Sequence, residues 1–300
     1  MRIRGFHFMG VRGLDGLKKD LPVSEPDLVV VYGKQATGKT TFLDTIAAAK
    51  EAVAEYGSPD YRWDSLPGSH GVAKVSINWE ASPNEQTRFA LADNLLQSES
   101  VLGRGGDKPE YPVSLVGILS EPGEAERGSI HYLHDSRQLE GPISFGADDA
   151  ALRSRLTTRN SKFADLYDVL DQPEKAQAKQ LASDRFGELF PEYEIAGLRR
   201  YGTSFHMTVI HKPTAIQRSF ETLSTSQQQA YIVALYTAKR PIVDSIILLD
   251  APELGFGDGA TDLVRALLRW TTKTQLIVAT GSAAVRAMPE VSHVVELPTP

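Results

Sequence analysis

The sequence predicts an α/β protein: a mixed sheet with flanking helices and an inserted, partly helical lobe. Three observations carry this. An all-apolar run, "DLVVVYG" at 27–33, leads straight into a glycine-rich loop and then a helical segment. Two similar runs, "SIILLD" at 245–250 and "TQLIVATGS" at 274–282, flank the amphipathic segment "TDLVRALLRWTT". Short continuous apolar runs of this kind suit strands buried on both faces, as in a sheet covered by helices. The middle, 83–190, lacks such runs in series, so the core is assigned to 1–82 and 191–300 and the middle to an inserted lobe.

Taken in order, "RIRGFHFMGV" is rich in aromatic and β-branched residues and reads as a strand, with a turn at "RGLDG". "TTFLDTIAAAKEAVAEYG" reads as a helix stopped by its glycine. "VAKVSINWE" and "VSLVGIL" read as strands, and "SIHYLHDSR" as a strand ending in polar residues. Pro and Gly cluster at 102–128, which marks that stretch as a mobile loop. "DDAALRSRLTTRNSKFADLYDVL" and "EKAQAKQLASDRFGELF" carry helical periodicity without sustained heptads. Strands return at "YEIAGLRRYG" and "SFHMTVIHK", and a helix opens after "LSTS" and runs through "QQQAYIVALYTAK". The helix at 261–272 and a last strand, "SHVVELP", complete the series.

Composition narrows the function classes. The 300 residues carry a net charge of -6, so no global positive field draws the chain to nucleic acid or to anionic membrane. DNA remains open as a partner that charge does not indicate. With no cysteine, disulfides and thiolate metal sites are excluded. The N-terminal segment lacks the apolar core of a signal peptide, and the longest apolar runs are far too short for a membrane helix. A soluble cytoplasmic protein is expected.

The chemistry begins at Gly33-Lys34-Gln35-Ala36-Thr37-Gly38-Lys39-Thr40, followed by Thr41, which fits the pattern GxxxxGK[ST] between an apolar strand and a helix. Glycines let the backbone wrap so that successive N–H groups face phosphate oxygens, and the helix N-terminus adds partial positive charge. Lys39 is placed to reach the β- and γ-phosphates of ATP, and the Thr40 hydroxyl to ligate Mg²⁺. Lys34 is a second cation in the loop. Asp250, ending "SIILLD", is the carboxylate expected to hold that metal; its bland alternative is a buried cap on the next turn.

Leu223-Ser224-Thr225-Ser226-Gln227 stands just before a helix and upstream of the Asp250 strand. A serine with backbone amides at a helix start is either a second anion site or an ordinary N-cap. In this order with the other two motifs, the pentapeptide resembles the LSGGQ signature of ABC-type ATPases. The opening "IRGFHFMGVRGL", "DAPELGF" and "LIVATGS" resemble counterparts in the SMC/RecF/OLD group of these proteins, over the first 50 residues and about 195–300. The resemblance implies an ABC-ATPase-type P-loop NTPase head. Two such heads would sandwich two ATPs, each Ser224–Gln227 segment capping the γ-phosphate held by the other chain. It implies ATP and Mg²⁺ as cofactors, a homodimer on ATP binding, and a separate effector protein. DNA repair, chromosome maintenance and anti-phage defence are the settings it suggests. The middle lobe carries no resemblance.

Two positions depart from the family pattern. Ala251 stands where the family has the glutamate that polarises water, and Gly281 where it has a switch histidine. Three accounts follow. Glu253 takes the catalytic role from a shifted position, together with Lys39 and Asp250; or ATP is a structural or switching ligand, hydrolysed slowly; or Ala251 is an engineered substitution, although one change would not also remove the histidine. Arg137, after a mid-chain strand, is a candidate γ-phosphate sensor. His131 and His134, on opposite faces of that strand, are expected to be core histidines and not a metal pair.

Overall fold

A computed structural model describes residues 1–54, 64–69, 71–103, 109–120, 130–135, 137, 163, 166–201, 204–239 and 242–298. At its centre is a five-stranded parallel sheet of β3 (Leu28–Tyr32), β6 (Ile130–Leu133), β10 (Ile246–Asp250), β11 (Gln275–Thr280) and β12 (Val291–Glu296), in the order β12-β3-β11-β10-β6. The all-apolar runs form its interior strands, and β10 and β11 are buried at every residue. Alternate residues of these strands feed two separate cores.

Val29, Val31, Leu248 and Ile277 face the first core. It is closed by helix α1 (Lys39–Val53) and by an antiparallel sheet ordered β2-β1-β4-β5, built from β1 (Arg2–Met9), β2 (Lys18–Asp20), β4 (Val72–Glu80) and β5 (Leu95–Gly103). Phe6, Phe8 and Phe42 form an aromatic cluster there, with ring centroids 4.9–5.3 Å apart. Leu28, Val30, Leu249 and Val278 face the second core. That side is covered by α5 (Ala176–Leu189), α6 (Thr225–Lys239) and α8 (Ala260–Trp270), together with a three-stranded antiparallel sheet of β7 (Tyr193–Tyr201), β8 (Ser204–His211) and β9 (Ile216–Ser219). The shorter helices are α2 (Pro83–Phe89), α3 (Val113–Leu119), α4 (Tyr167–Asp171), α7 (Glu253–Phe256) and α9 (Ala283–Arg286).

Several local expectations are corrected. "VSLVGIL" is helix α3 and not a strand: Leu115, Ile118 and Leu119 are buried at helical spacing behind Pro112. Helix α1 ends at Val53, with Ala54 extended, before Gly57, which lies outside the described residues. His134 follows the last residue of β6; its ring stacks on Tyr132 with centroids 3.7 Å apart, while His131 Nδ1 bonds the Tyr236 hydroxyl at 2.9 Å. Strand β5 escaped the sequence reading because its inward positions include serines. Ser98 accepts a bond from Trp79 Nε1 at 2.8 Å, and Ser100 donates to Ala49 O at 3.1 Å, so these buried hydroxyls are hydrogen-bonded. Of the stretch 83–190, β5 and β6 are built into the two larger sheets, and α5 packs on α6. Of the stretch 102–128, residues 104–108 and 121–128 lie outside the described residues, as does most of the helical segment 148–170, apart from Phe163 and 166–170. Among the described residues, no helix is long and apolar enough to cross a membrane.

Candidate functional site

The loop after β3 is shaped by residues that tolerate what it demands. A Cβ on Gly33 would lie 2.2 Å from Thr37 Oγ1, so any side chain there would displace Thr37. Gly38 adopts φ +91° as the residue capping α1, a conformation that costs glycine little. Thr37 folds inward and donates to Lys34 O at 2.9 Å. No side chain caps the α1 N-terminus and no acid sits in its first turn, so the N–H groups there remain available to an anion. Lys39 Nζ lies over the loop, donating to Gly33 O at 3.0 Å and Lys34 O at 2.7 Å.

A cleft of about 410 Å³ opens here, lined by Arg12, Gly13, Ala36, Thr37, Gly38, Lys39, Thr40, Thr41 and Pro298. Lys34 and Gln35 are exposed outside that lining. Arg12 is the addition that sequence reading missed. It lies in the turn after β1, and Leu14 of that turn packs 3.4 Å from the Cβ position of Gly38, which brings the arginine to the loop. Only the folding of one sheet over α1 makes that proximity.

Asp250 ends β10 with 1% exposure. Its Oδ2 accepts from Thr40 Oγ1 at 2.8 Å, whereas Oδ1 has no hydrogen-bond partner among the described residues. Burial pushes the carboxyl up to about 6, helped by the Asp135 and Asp44 carboxylates and opposed by the Thr40 bond and Arg137. An orphaned buried carboxylate oxygen beside a hydroxyl is a donor set of hard oxygens, and it fits Mg²⁺. Among the described residues, no group of three or more His, Asp or Glu could hold a metal alone, so nucleotide oxygens and water would complete the shell.

The raised value has a stability consequence. Because folding raises this carboxyl above its ordinary value, its contribution is present below about pH 4 and lost as pH rises through about 6. Without metal, the ionised group therefore costs up to about 3 kcal/mol at neutral pH. Asp250→Asn is expected to raise the unfolding temperature of metal-free protein at pH 7.5 and to match the parent near pH 4. Thermal melts in chelator at both pH values check this.

After Asp250 the chain turns sharply. Ala251, at φ +43°, donates its N–H to Ala279 O at 2.9 Å and accepts from Leu254 N at 3.0 Å. This turn sends Glu253 back over the end of β11, where Oε1 accepts from the Gly281 N–H and Oε2 from the Thr280 hydroxyl, both at 2.7 Å. A Cβ on Gly281 would lie 3.5 Å from Glu253 Oε1 and from Gly33 O, and 4.0 Å from Lys39 Nζ. The carboxylate of Glu253 thus stands beside Gly281, whose own Cβ position faces Gly33 O of the loop after β3.

The remaining candidates are placed differently. Arg137 is 2% exposed and does not line the cleft; its guanidinium donates to the carbonyls of His134 and Asp250 and to Gln229 Oε1. Ser224 and Gln227 form reciprocal bonds, Ser224 N to Gln227 Oε1 at 3.0 Å and Gln227 N to Ser224 Oγ at 3.3 Å, so the capping alternative is realised at α6. Ser224 and Thr225 remain exposed, Ser226 is partly buried, and none of the four lines the cleft of its own chain.

Solved structures that are similar in fold, at 14% identity, are SMC heads. An SMC head bound to the C-winged helix domain of ScpA aligns with TM-score 0.60, over 99% of this chain and 94% of that one. The SMC head domain from Thermotoga maritima gives 0.54 over the same shares. An SMC head with an extended coiled coil, bound to the C-terminal domain of ScpA derived from Pyrococcus furiosus, gives 0.56 over 98% and 92%. The chain folds as an SMC head does. That fold, α/β with flanking helices, is consistent with the ABC-ATPase-type head the motifs implied. No family model and no curated protein matches the sequence.

Proposed function

We propose that the chain is an ATP-binding, slowly hydrolysing ABC-type ATPase. Its ATP-bound form pairs head to tail and serves as the switch subunit of a larger complex. The observation that carries this reading is the contact between Thr40 and the orphaned carboxylate of Asp250, at the floor of a loop whose N–H groups are uncapped. In this reading the loop amides and Lys39 bind the phosphates, with Arg12 a further cation at the cleft wall. Thr40 and Asp250 would hold Mg²⁺, which when bound neutralises phosphate charge. Glu253, fixed by Thr280 and Gly281, orients the attacking water and accepts its proton. Ser224 and its helix start face the γ-phosphate of the partner copy.

SMC heads have been solved bound to ScpA domains, and a separate partner protein is proposed here by analogy. A DNA-repair or anti-phage setting of the OLD-like kind rests on the motif resemblance. A second reading, in which ATP is only a structural ligand of a scaffold, is favoured by Ala251, which has no proton acceptor. Steady-state phosphate release by the full chain separates the two. Slow, Mg²⁺-dependent turnover is expected; none at all would support the scaffold.

A further inference from the structure

Both carboxylates assigned to the reaction sit on backbone that a single buried pair of side chains grips from behind. Arg137 Nη1 donates to Asp250 O and to His134 O, each at 2.8 Å, and Nη2 donates to Gln229 Oε1 at 2.7 Å. Gln229, 5% exposed on α6, then donates from Nε2 to Leu254 O at 2.7 Å. Leu254 follows Glu253 directly. Gly255, at φ +118°, lets the turn approach this amide, since a Cβ there would lie 3.0 Å from it. From one amide, then, bonds run to the residue after Glu253 and, through one guanidinium, to the carbonyl of Asp250.

We propose that Gln229 and Arg137 are positioning residues that fix the Asp250–Leu254 turn against helix α6, so that the seating of α6 sets where Glu253 is held. The proposal rests on the hydrolytic reading above. Stability alone gives little reason for the arrangement. Burying a guanidinium is expensive, and well-packed apolar residues of similar volume often serve as well or better. Burial pulls Arg137 down to about 10, which still leaves it charged at neutral pH, and among the described residues its Nε has no partner. What the charge does provide is a rigid fork that holds several oxygens at once. The far end of the same network lies one turn from Ser224–Gln227, on a helix buried continuously from Gln229 to Leu235. A displacement of the α6 start would therefore be delivered to the turn that carries Glu253.

The test uses the full chain with Gln229→Met, which conserves length but neither bond, and Gln229→Glu, which keeps an acceptor for Arg137 and loses the donor to Leu254 O. In both, kcat is expected to fall about 10-fold or more, the scale on which small misplacements act. KM and calorimetric ATP affinity should stay near parental values. Amide hydrogen exchange over 251–257 should speed up, while α1 and the central strands keep their protection. Parental kcat and parental exchange at 251–257 in both variants would overturn the proposal, as would faster exchange in every segment, which marks a merely structural residue. If the parent chain itself shows no turnover, the hydrolytic reading fails separately, and the exchange of 251–257 decides the positioning claim alone.

Discussion

Glu253→Gln is expected to lower ATP turnover by about 10²–10⁴-fold, the usual loss on removing a general base, with ATP affinity nearly unchanged. The residue makes no bond to the loop that would hold phosphates. Among the described residues, its two oxygens accept from Thr280 and Gly281 alone. Glutamine can keep one of those acceptor bonds and the same volume, so the turn should survive, but its amide cannot take a proton from water. The sharp backbone at Ala251 is what makes the assignment physical: it reverses the chain early enough for a residue two positions on to reach the end of β11. Phosphate release, compared with calorimetric ATP titration of the same variant, checks both halves of this expectation.

Lys39→Ala should weaken ATP binding by about 100-fold, or roughly 3 kcal/mol, the scale of losing charge-assisted bonds to phosphate. Lys39 donates to Gly33 O and Lys34 O at the rim of the loop, where water can replace it. The cost to the fold is therefore expected to be below about 1 kcal/mol. Nucleotide titration alongside a thermal melt distinguishes the two effects. Unchanged affinity would sink the phosphate-loop assignment.

Much of this was legible because it depends on local pattern. The loop at 33–40 is eight consecutive residues whose backbone needs are written as glycines, and the runs around Val29, Leu248 and Ile277 announce strands buried on both faces. The order of the motifs led to the fold that the SMC heads share. What escaped was decided by tertiary contact. Arg12 reaches the cleft only because Leu14 packs on the loop glycine. Arg137 looked like a phosphate sensor from its place after β6, yet its side chain turns inward to carbonyl oxygens, which no sequence spacing encodes. Ser98 and Ser100 hid β5 because their partners, Trp79 and Ala49, lie far away in the chain. "VSLVGIL" misled because its β-branched content favours a strand, while the spacing of Leu115, Ile118 and Leu119 favours the helix that forms.

In the proposed function, ATP closes a sandwich between two copies of this chain. In that account Ser224, which caps α6 and lies outside the cleft of its own chain, would face a phosphate held by the other copy. The most direct measurement is the molar mass of the Glu253→Gln chain by light scattering, at matched concentration with and without ATP and Mg²⁺. With hydrolysis removed, nucleotide above its dissociation constant should hold the pair closed by mass action. The predicted result is twice the 32.8 kDa chain mass with ATP and Mg²⁺, the single chain mass without them, and the single mass in both conditions once Ser224→Arg is added. A single chain mass despite bound ATP, or a pair indifferent to both ATP and Ser224→Arg, would contradict it.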